Sequence, residues 1–470
     1  MSSVLMFLAS AGTMQAQNSD AAQIKQYDDG SIYEGTFVDG KRHGTGSFQT
    51  SNGFSYNGEW LQGVMSGRGQ ARYPAGHSYE GQFSGGKING FGKMIFADGS
   101  SYEGDWVDNK ITGNGIRTYA NGVSYEGEFV NAQHHGIGTM KSPNGYVYRG
   151  EWNNGVMQGQ GEITYPDGSV YTGAMFGGKR DGIGKMSNTD GMVYEGSWKA
   201  GRIDGQGKKT LPNGDVYQGE FVNGLRHGQG LMTYVNGDRY EGQFKDDARH
   251  GQGVFQSTDG YKYKGSWVMG KIEGTGVVTR PDGSVYKGQF KADMAHGKGK
   301  ITYEDGGSYD GDWVMGVNEG QGVAKYANGM VYEGGFKDAK FHGQGTLVEP
   351  AGYKYTGGWK NGQHHGTGRV TYEDGSVYEG QFVAGQRQGT GEMVMADGFK
   401  YTGGWKGGKF EGQGKATYVS GDIYEGMFSE GKRHGQGTMQ YASGDVATGI
   451  WQAGALTEAL TEQPEGTDSN

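Results

Sequence analysis

The sequence predicts an all-β protein, an elongated single-layer antiparallel sheet of stacked β-hairpins, and three observations carry that prediction. A tyrosine recurs every 23 residues from Tyr33 to Tyr424 without insertion or deletion. Within each period, two short runs alternate side chains between two faces, the period-two pattern of strands. The chain also has 97 glycines and 31 tyrosines but nine leucines, so no ordinary aliphatic core can form. A fixed period of this length marks a stacked repeat, in which each unit buries its apolar face only against its neighbours.

One repeat, Tyr148 to Val170, shows the elements in order. Tyr148, Gly150 and Trp152 share one face of a first strand, with Arg149 and Glu151 on the other. A loop follows. In the second strand Gly159, Gly161, Ile163 and Tyr165 share a face, opposed by Gln160, Glu162 and Thr164. Pro166, Asp167 and Gly168 then reverse the chain, since Asp-Gly tolerates the positive φ of short turns. Glycines between or opposite aromatics leave room for a ring to lie over the backbone. One hairpin alone is marginal in water, but a stack buries a continuous aromatic row. At ~4.8 Å per strand the array would be on the order of 170 Å long before twist, a rod or gently twisted ribbon with open strand edges.

A longer period overlies the first. All nine tryptophans stand four residues after a repeat's first position, mostly 46 apart, and phenylalanine or Met175 fills that position between them. Phe221 followed directly by Phe244 is a phase slip. Phe-type repeats often carry Arg-His in the loop, whereas Trp-type repeats tend to carry an apolar-acidic pair such as Ile203-Asp204, Ile272-Glu273 or Phe410-Glu411. A nineteenth copy is degenerate, with Ala447 at the tyrosine position but Gly449, Trp451 and Gly454 in register; it is expected to cap an end.

The pattern Tyr-x-Gly-x-(Trp/Phe)-x-x-Gly-x-x-x-Gly-x-Gly, as in Tyr355, Gly357, Trp359, Gly362, Gly366 and Gly368, resembles the MORN repeat. The resemblance covers residues 33 to about 454. It implies an elongated sheet of successive hairpins, with roles in protein contacts, scaffolding, self-association and phospholipid-headgroup binding. The repeats leave no room in this sequence for the kinase or methyltransferase domains that accompany them elsewhere.

Residues 1–17 contain a short apolar run from Val4 to Ala9. It reads as a truncated export signal lacking its basic residues, which a start a few codons upstream would supply, or else as a disordered tail. The first reading places the protein in the periplasm or outside the cell; the second leaves it cytoplasmic, associated at most peripherally with membrane. Residues 18–32 lead into the array of 33–454, with its slip near 221–244, and 455–470 form an acidic tail. A net charge of -9 argues against nucleic-acid binding, which needs a basic stripe. Without cysteine, thiolate chemistry and disulfides are excluded. The histidines that repeat in the loops are too far apart to share a zinc ion. None of the Gly-x-Gly copies has phosphate-loop spacing. No catalytic constellation stands out from the uniform surface, so neither enzyme activity nor a metal, cofactor or small-molecule substrate is expected.

The function expected is that of a non-enzymatic scaffold binding protein segments along an open aromatic face, with self-association, including a homodimer, as a further expectation. The candidate residues are Tyr56, Trp60, Tyr102, Trp106, Tyr148, Trp152, Tyr194, Trp198, Tyr263, Trp267, Tyr309, Trp313, Tyr355, Trp359, Tyr401 and Trp405. The alternative is a peripheral membrane protein that grips anionic headgroups through Arg42, His43, Arg226, His227, Arg249, His250, Arg433 and His434.

Overall fold

The computed structural model describes residues 21–460; the apolar N-terminal run and the end of the acidic tail lie outside them. Contacts divide the chain after Leu225 into two compact units. The division falls inside the span from Phe221 to Phe244 where the Trp/Phe alternation slips. Among the described residues there are 39 strands and no helix, numbered β1 to β39 in chain order. The first unit runs from β1 (Gln23–Gln26) to β18 (Val216–Val222), and the second holds β19 (Leu225–Thr233), from Arg226 onward, to β39 (Ala455–Ala459). In each unit every strand pairs antiparallel with the next in sequence, as β2 does with β3 and β37 (Lys432–Gln440) with β38 (Val446–Gln452).

The first hairpin of the array shows how a repeat is made. β2 (Ile32–Val38) and β3 (Lys41–Gln49) are joined by Asp39-Gly40 alone. Both residues have positive φ, 49° and 75°, the type I′ combination whose twist suits a two-residue hairpin. The expected loop is therefore two residues long, and the Arg-His pair lies in the strand: Arg42 and His43 belong to β3, as Arg433 and His434 belong to β37.

The register explains how they fit there. Gly35 faces Gly46 and Phe37 faces Arg42, so four steps of β3 span two of β2. Gly44 makes this bulge in the left-handed region, with φ +67°, where a Cβ is disfavoured. In many repeats the side chain three residues after the tyrosine caps an N–H freed by the bulge. Glu59 accepts from Arg68 N at 2.9 Å, Asp105 from Asn114 N at 2.9 Å and Glu151 from Gln160 N at 2.7 Å.

Between β2 and β38 glycine faces glycine at each step within a unit, as Gly35, Gly46, Gly58, Gly69 and Gly81 do in turn. This file crosses the sheet of each unit. It divides the sheet's two faces into different chemistries.

Candidate functional site

On one face each tyrosine ring lies flat on its glycine pair. A Cβ at Gly35 would sit 2.5 Å from the Tyr33 hydroxyl, so a larger residue there would evict the ring. The hydroxyl donates to the carbonyl three residues on, Tyr33 to Thr36 at 3.1 Å and Tyr56 to Glu59 at 2.8 Å. The repeat's own aromatic and the next repeat's aromatic form two walls. For Tyr33 these are Phe37, edge-on at 5.0 Å, and Trp60, edge-on at 5.4 Å. Trp60 is tied down by donating Nε1–H to the Gly46 carbonyl at 3.0 Å.

The residue nine positions after the tyrosine closes the box from above. In four repeats it is a ring stacked face-on at 3.7–3.8 Å: His134 on Tyr125, Phe341 on Tyr332, His364 on Tyr355 and Phe410 on Tyr401. Burial pushes the Tyr125 hydroxyl up to about 12. It also lowers His134 and His364 to about 4, with Arg117 adding to the effect at His134.

In several repeats that carry phenylalanine, or Met175, at the wall position the lid is arginine, and it reaches the next tryptophan. Guanidinium-to-ring distances are 4.1 Å for Arg42 on Trp60, 4.2 Å for Arg180 on Trp198, 4.2 Å for Arg249 on Trp267, 4.4 Å for Arg387 on Trp405 and 4.4 Å for Arg433 on Trp451. Arg42 also donates to the Gly63 carbonyl at 3.0 Å and Arg387 to that of Gly408 at 2.9 Å. Tryptophan is the best ring for such a cation, which gives the 46-residue alternation a physical basis.

These boxes correct the expectation of an open aromatic groove. Tyr56, Tyr102, Tyr148, Tyr194, Tyr263, Tyr309, Tyr355 and Tyr401 are at most 2% exposed. Trp60, Trp106, Trp152, Trp198, Trp267, Trp313, Trp359 and Trp405 are at most 6% exposed. They are core, because each repeat's wall and lid seal the ring before it. The cations expected on loops are placed differently too. Arg42, Arg249 and Arg433 lie over tryptophans, and Arg226 pairs with Asp247 at 2.9 Å. His43, His227 and His250 are half-buried in strands, and only His434 of the four is exposed. The acids beside the Trp-type lids hold turns: Asp204 accepts from Asn223 N at 3.0 Å and Glu273 from Ala292 N at 3.1 Å.

The other face is open. With glycines along its midline it forms shallow troughs. One, of about 650 Å³ in the first unit, is lined by Arg68, Glu80, Phe91, Lys93 and Glu103. Another, of about 770 Å³ in the second unit, is lined by Thr356, Thr367, Arg369, Glu379, Thr390 and Glu392. The first unit adds large exposed apolar side chains: Phe91 (55%), Ile116 (46%), Ile137 (60%) and Ile183 (67%). Sequence reading missed these; the signal was an apolar residue between the two glycines of Gly-x-Gly for Phe91, Ile137 and Ile183, and just after them for Ile116. Among the described residues no three His, Cys, Asp or Glu gather as a metal site.

Such a sheet, with a self-sealed spine on one side and bare troughs on the other, defines a repeat protein built of interlocking β-hairpins. The MORN repeat profile matches eighteen times, from 33–54 through 424–446. The chain belongs to the MORN repeat family.

No curated protein matches it. Solved structures with some likeness include the SAS-4 (dCPAP) TCP domain of Drosophila melanogaster in complex with a proline-rich motif of Ana2. That chain is 12% identical, with 44% of this chain and 96% of that one covered and a TM-score of 0.20. The TCP10 domain of Danio rerio CPAP with a STIL peptide is 13% identical over 71% of this chain and 97% of that one, TM-score 0.16. Virginiamycin B lyase from Staphylococcus aureus is 11% identical over 61% and 93%, TM-score 0.11. Scores this low say nothing about what this chain binds.

Proposed function

We propose that this chain is a non-enzymatic scaffold that holds segments of other proteins on the face opposite its aromatic spine. One observation supports the reading most: the spine consumes its own aromatic surface, while the opposite face keeps troughs whose floor is glycine backbone. A floor without side chains lets a chain approach the sheet closely, and the flanking rows of polar and apolar side chains can select it. The family match fits this reading, since the repeats occupy 33–446.

The second reading, capture of anionic headgroups by the Arg-His pairs, is weakened by geometry. Arg42, Arg249 and Arg433 are engaged with tryptophan rings, and moving them to a headgroup would unroof the tyrosines beneath.

The test pairs two binding assays on the full chain. A peptide array probed with the protein should give a set of bound segments, and placing large side chains in the troughs, for example Thr367→Trp with Thr390→Trp, should remove a subset of them. Co-sedimentation with phosphatidylserine vesicles at low salt should leave the protein in solution. Vesicle binding with an empty array would overturn the scaffold reading. Light scattering after size exclusion settles self-association separately.

A further inference from the structure

The outer face of the first unit carries an arrangement that the second unit lacks. Phe91 is in β7 (Lys87–Ile95), Ile116 in β9 (Lys110–Thr118) and Ile137 in β11 (Gln133–Lys141). Successive members are two strands apart, roughly 10 Å across the sheet, with Ile116 set on the other side of the glycine file from Phe91 and Ile137. All three are about half exposed or more. Three large apolar groups on either side of the glycine file, on a largely polar face, are a surface built for contact.

Their neighbours are acidic. In register, Phe91 faces Asp105, Ile116 lies between Glu103 and Glu126, and Ile137 faces Glu151. Glu80 lines the same trough beside Phe91. Two cations line the same trough: Lys93, which faces Glu80 and is taken by Glu103 at 3.0 Å, and Arg68. Asp105 and Glu151 cap backbone N–H groups, while Glu80 and Glu126 are exposed. In the second unit the position of Phe91 and Ile137 carries Thr275, Gln321, Thr367 and Gln413, and that of Ile116 carries half-buried valines, Val254, Val277 and Val323.

We infer that this strip binds a basic, apolar segment of another protein, with apolar side chains seated on Phe91, Ile116 and Ile137 and Lys or Arg side chains on Glu80, Glu103 and Glu126. The inference rests on the scaffold reading and names the partner's chemistry. Charge decides among occupants. An acidic segment would meet carboxylates beside every apolar seat, and an anionic membrane would be repelled by the same groups. A basic segment is drawn in and registered by the carboxylates while the apolar seats hold it.

The experiment uses the full chain and two labelled synthetic peptides, one of repeated Leu-Lys-Lys and one of repeated Leu-Glu-Glu, read by fluorescence anisotropy at low and high salt. The basic peptide should bind and the acidic one should not, and added salt should weaken binding. Combined Phe91→Ser, Ile116→Thr and Ile137→Thr leaves the charge unchanged and replaces the apolar seats with polar side chains. It should lower affinity about tenfold or more, which general attraction to an acidic protein would not. Glu80→Gln with Glu126→Gln should lower affinity and flatten the salt dependence. All five positions are exposed, and circular dichroism with urea unfolding checks that the fold is kept. Equal binding of the acidic peptide, or no change in the apolar variant, overturns the inference. If array peptides of other composition still bind, the scaffold reading survives that failure; if no peptide binds and phosphatidylserine vesicles do, both fall.

Discussion

Two adjacent steps of the spine in the second unit do the same job with different chemistry. At Arg249 the lid stacks on Trp267 at 4.2 Å. At Arg226, where the alternation slips and a phenylalanine follows, the guanidinium lies 5.6 Å from the Phe244 ring and forms an ion pair with Asp247. Its Nε and one Nη reach the Asp247 carboxylate and carbonyl at 2.9 and 2.7 Å. The difference teaches that the lid, not the ring beneath it, is the constant. A smaller, poorer ring is accommodated by supplying the cation with an anion from the next turn. The first arrangement is sheltered and indifferent to salt, and the second is half-exposed and screened by it.

The comparison can be broken most severely from below. Gly253 lies under Tyr240, between the two steps, and a Cβ there would overlap the ring. Gly253→Val should destabilise the second unit by about 3 kcal/mol, seen as a lower urea midpoint with both steps lost together. Trp267→Phe makes the regular step resemble the slip without its anion; a cost of about 1 kcal/mol is expected, and it should not change between low and high salt. Asp247→Asn removes the slip's own device. Its effect should be smaller, about 0.5 kcal/mol at low salt, and should vanish at high salt.

Histidine lids offer a third kind of step, tested by pH. His134 and His364 titrate near 4 in the folded protein against 6.5 when free. The unfolded chain therefore takes up protons that the folded one does not. Stability from these lids is complete above about 6.5, falls as pH drops, and levels off below about 4. After discounting for solvent, the loss is on the order of 1 kcal/mol for each. His134→Phe with His364→Phe, which copies the Phe341 and Phe410 lids, should remove that part of the acid sensitivity in urea titrations at pH 7 and pH 4.5.

Much of the fold was legible because the period carries it. Tyr33 to Tyr424 gave the number of hairpins, and Gly-x-Gly gave the bed under each ring. The lid was not legible, because Arg42 looks like a loop residue until the two-residue turn at Asp39-Gly40 and the bulge at Gly44 bring it back opposite Phe37. Nor was the sealing of the aromatic face. Trp60 closes the box of Tyr33, a ring 27 residues earlier, so inspection of a single repeat shows an open edge that the stack does not have. The apolar strip was hidden by the choice of a representative repeat, since Tyr148 to Val170 has Gln160 where its neighbours have Ile137 and Ile183.

The box that spans two repeats also accounts for the odd last copy. Trp451 walls Tyr424 edge-on at 5.2 Å and carries Arg433 above it, so the nineteenth copy completes its predecessor. With Ala447 at its own tyrosine position, it has no ring to shelter. Along such a chain, ancestry by duplication leaves the two halves of a terminal repeat under unequal constraint: the half that looks backward must be kept, and the half that looks forward is free to decay.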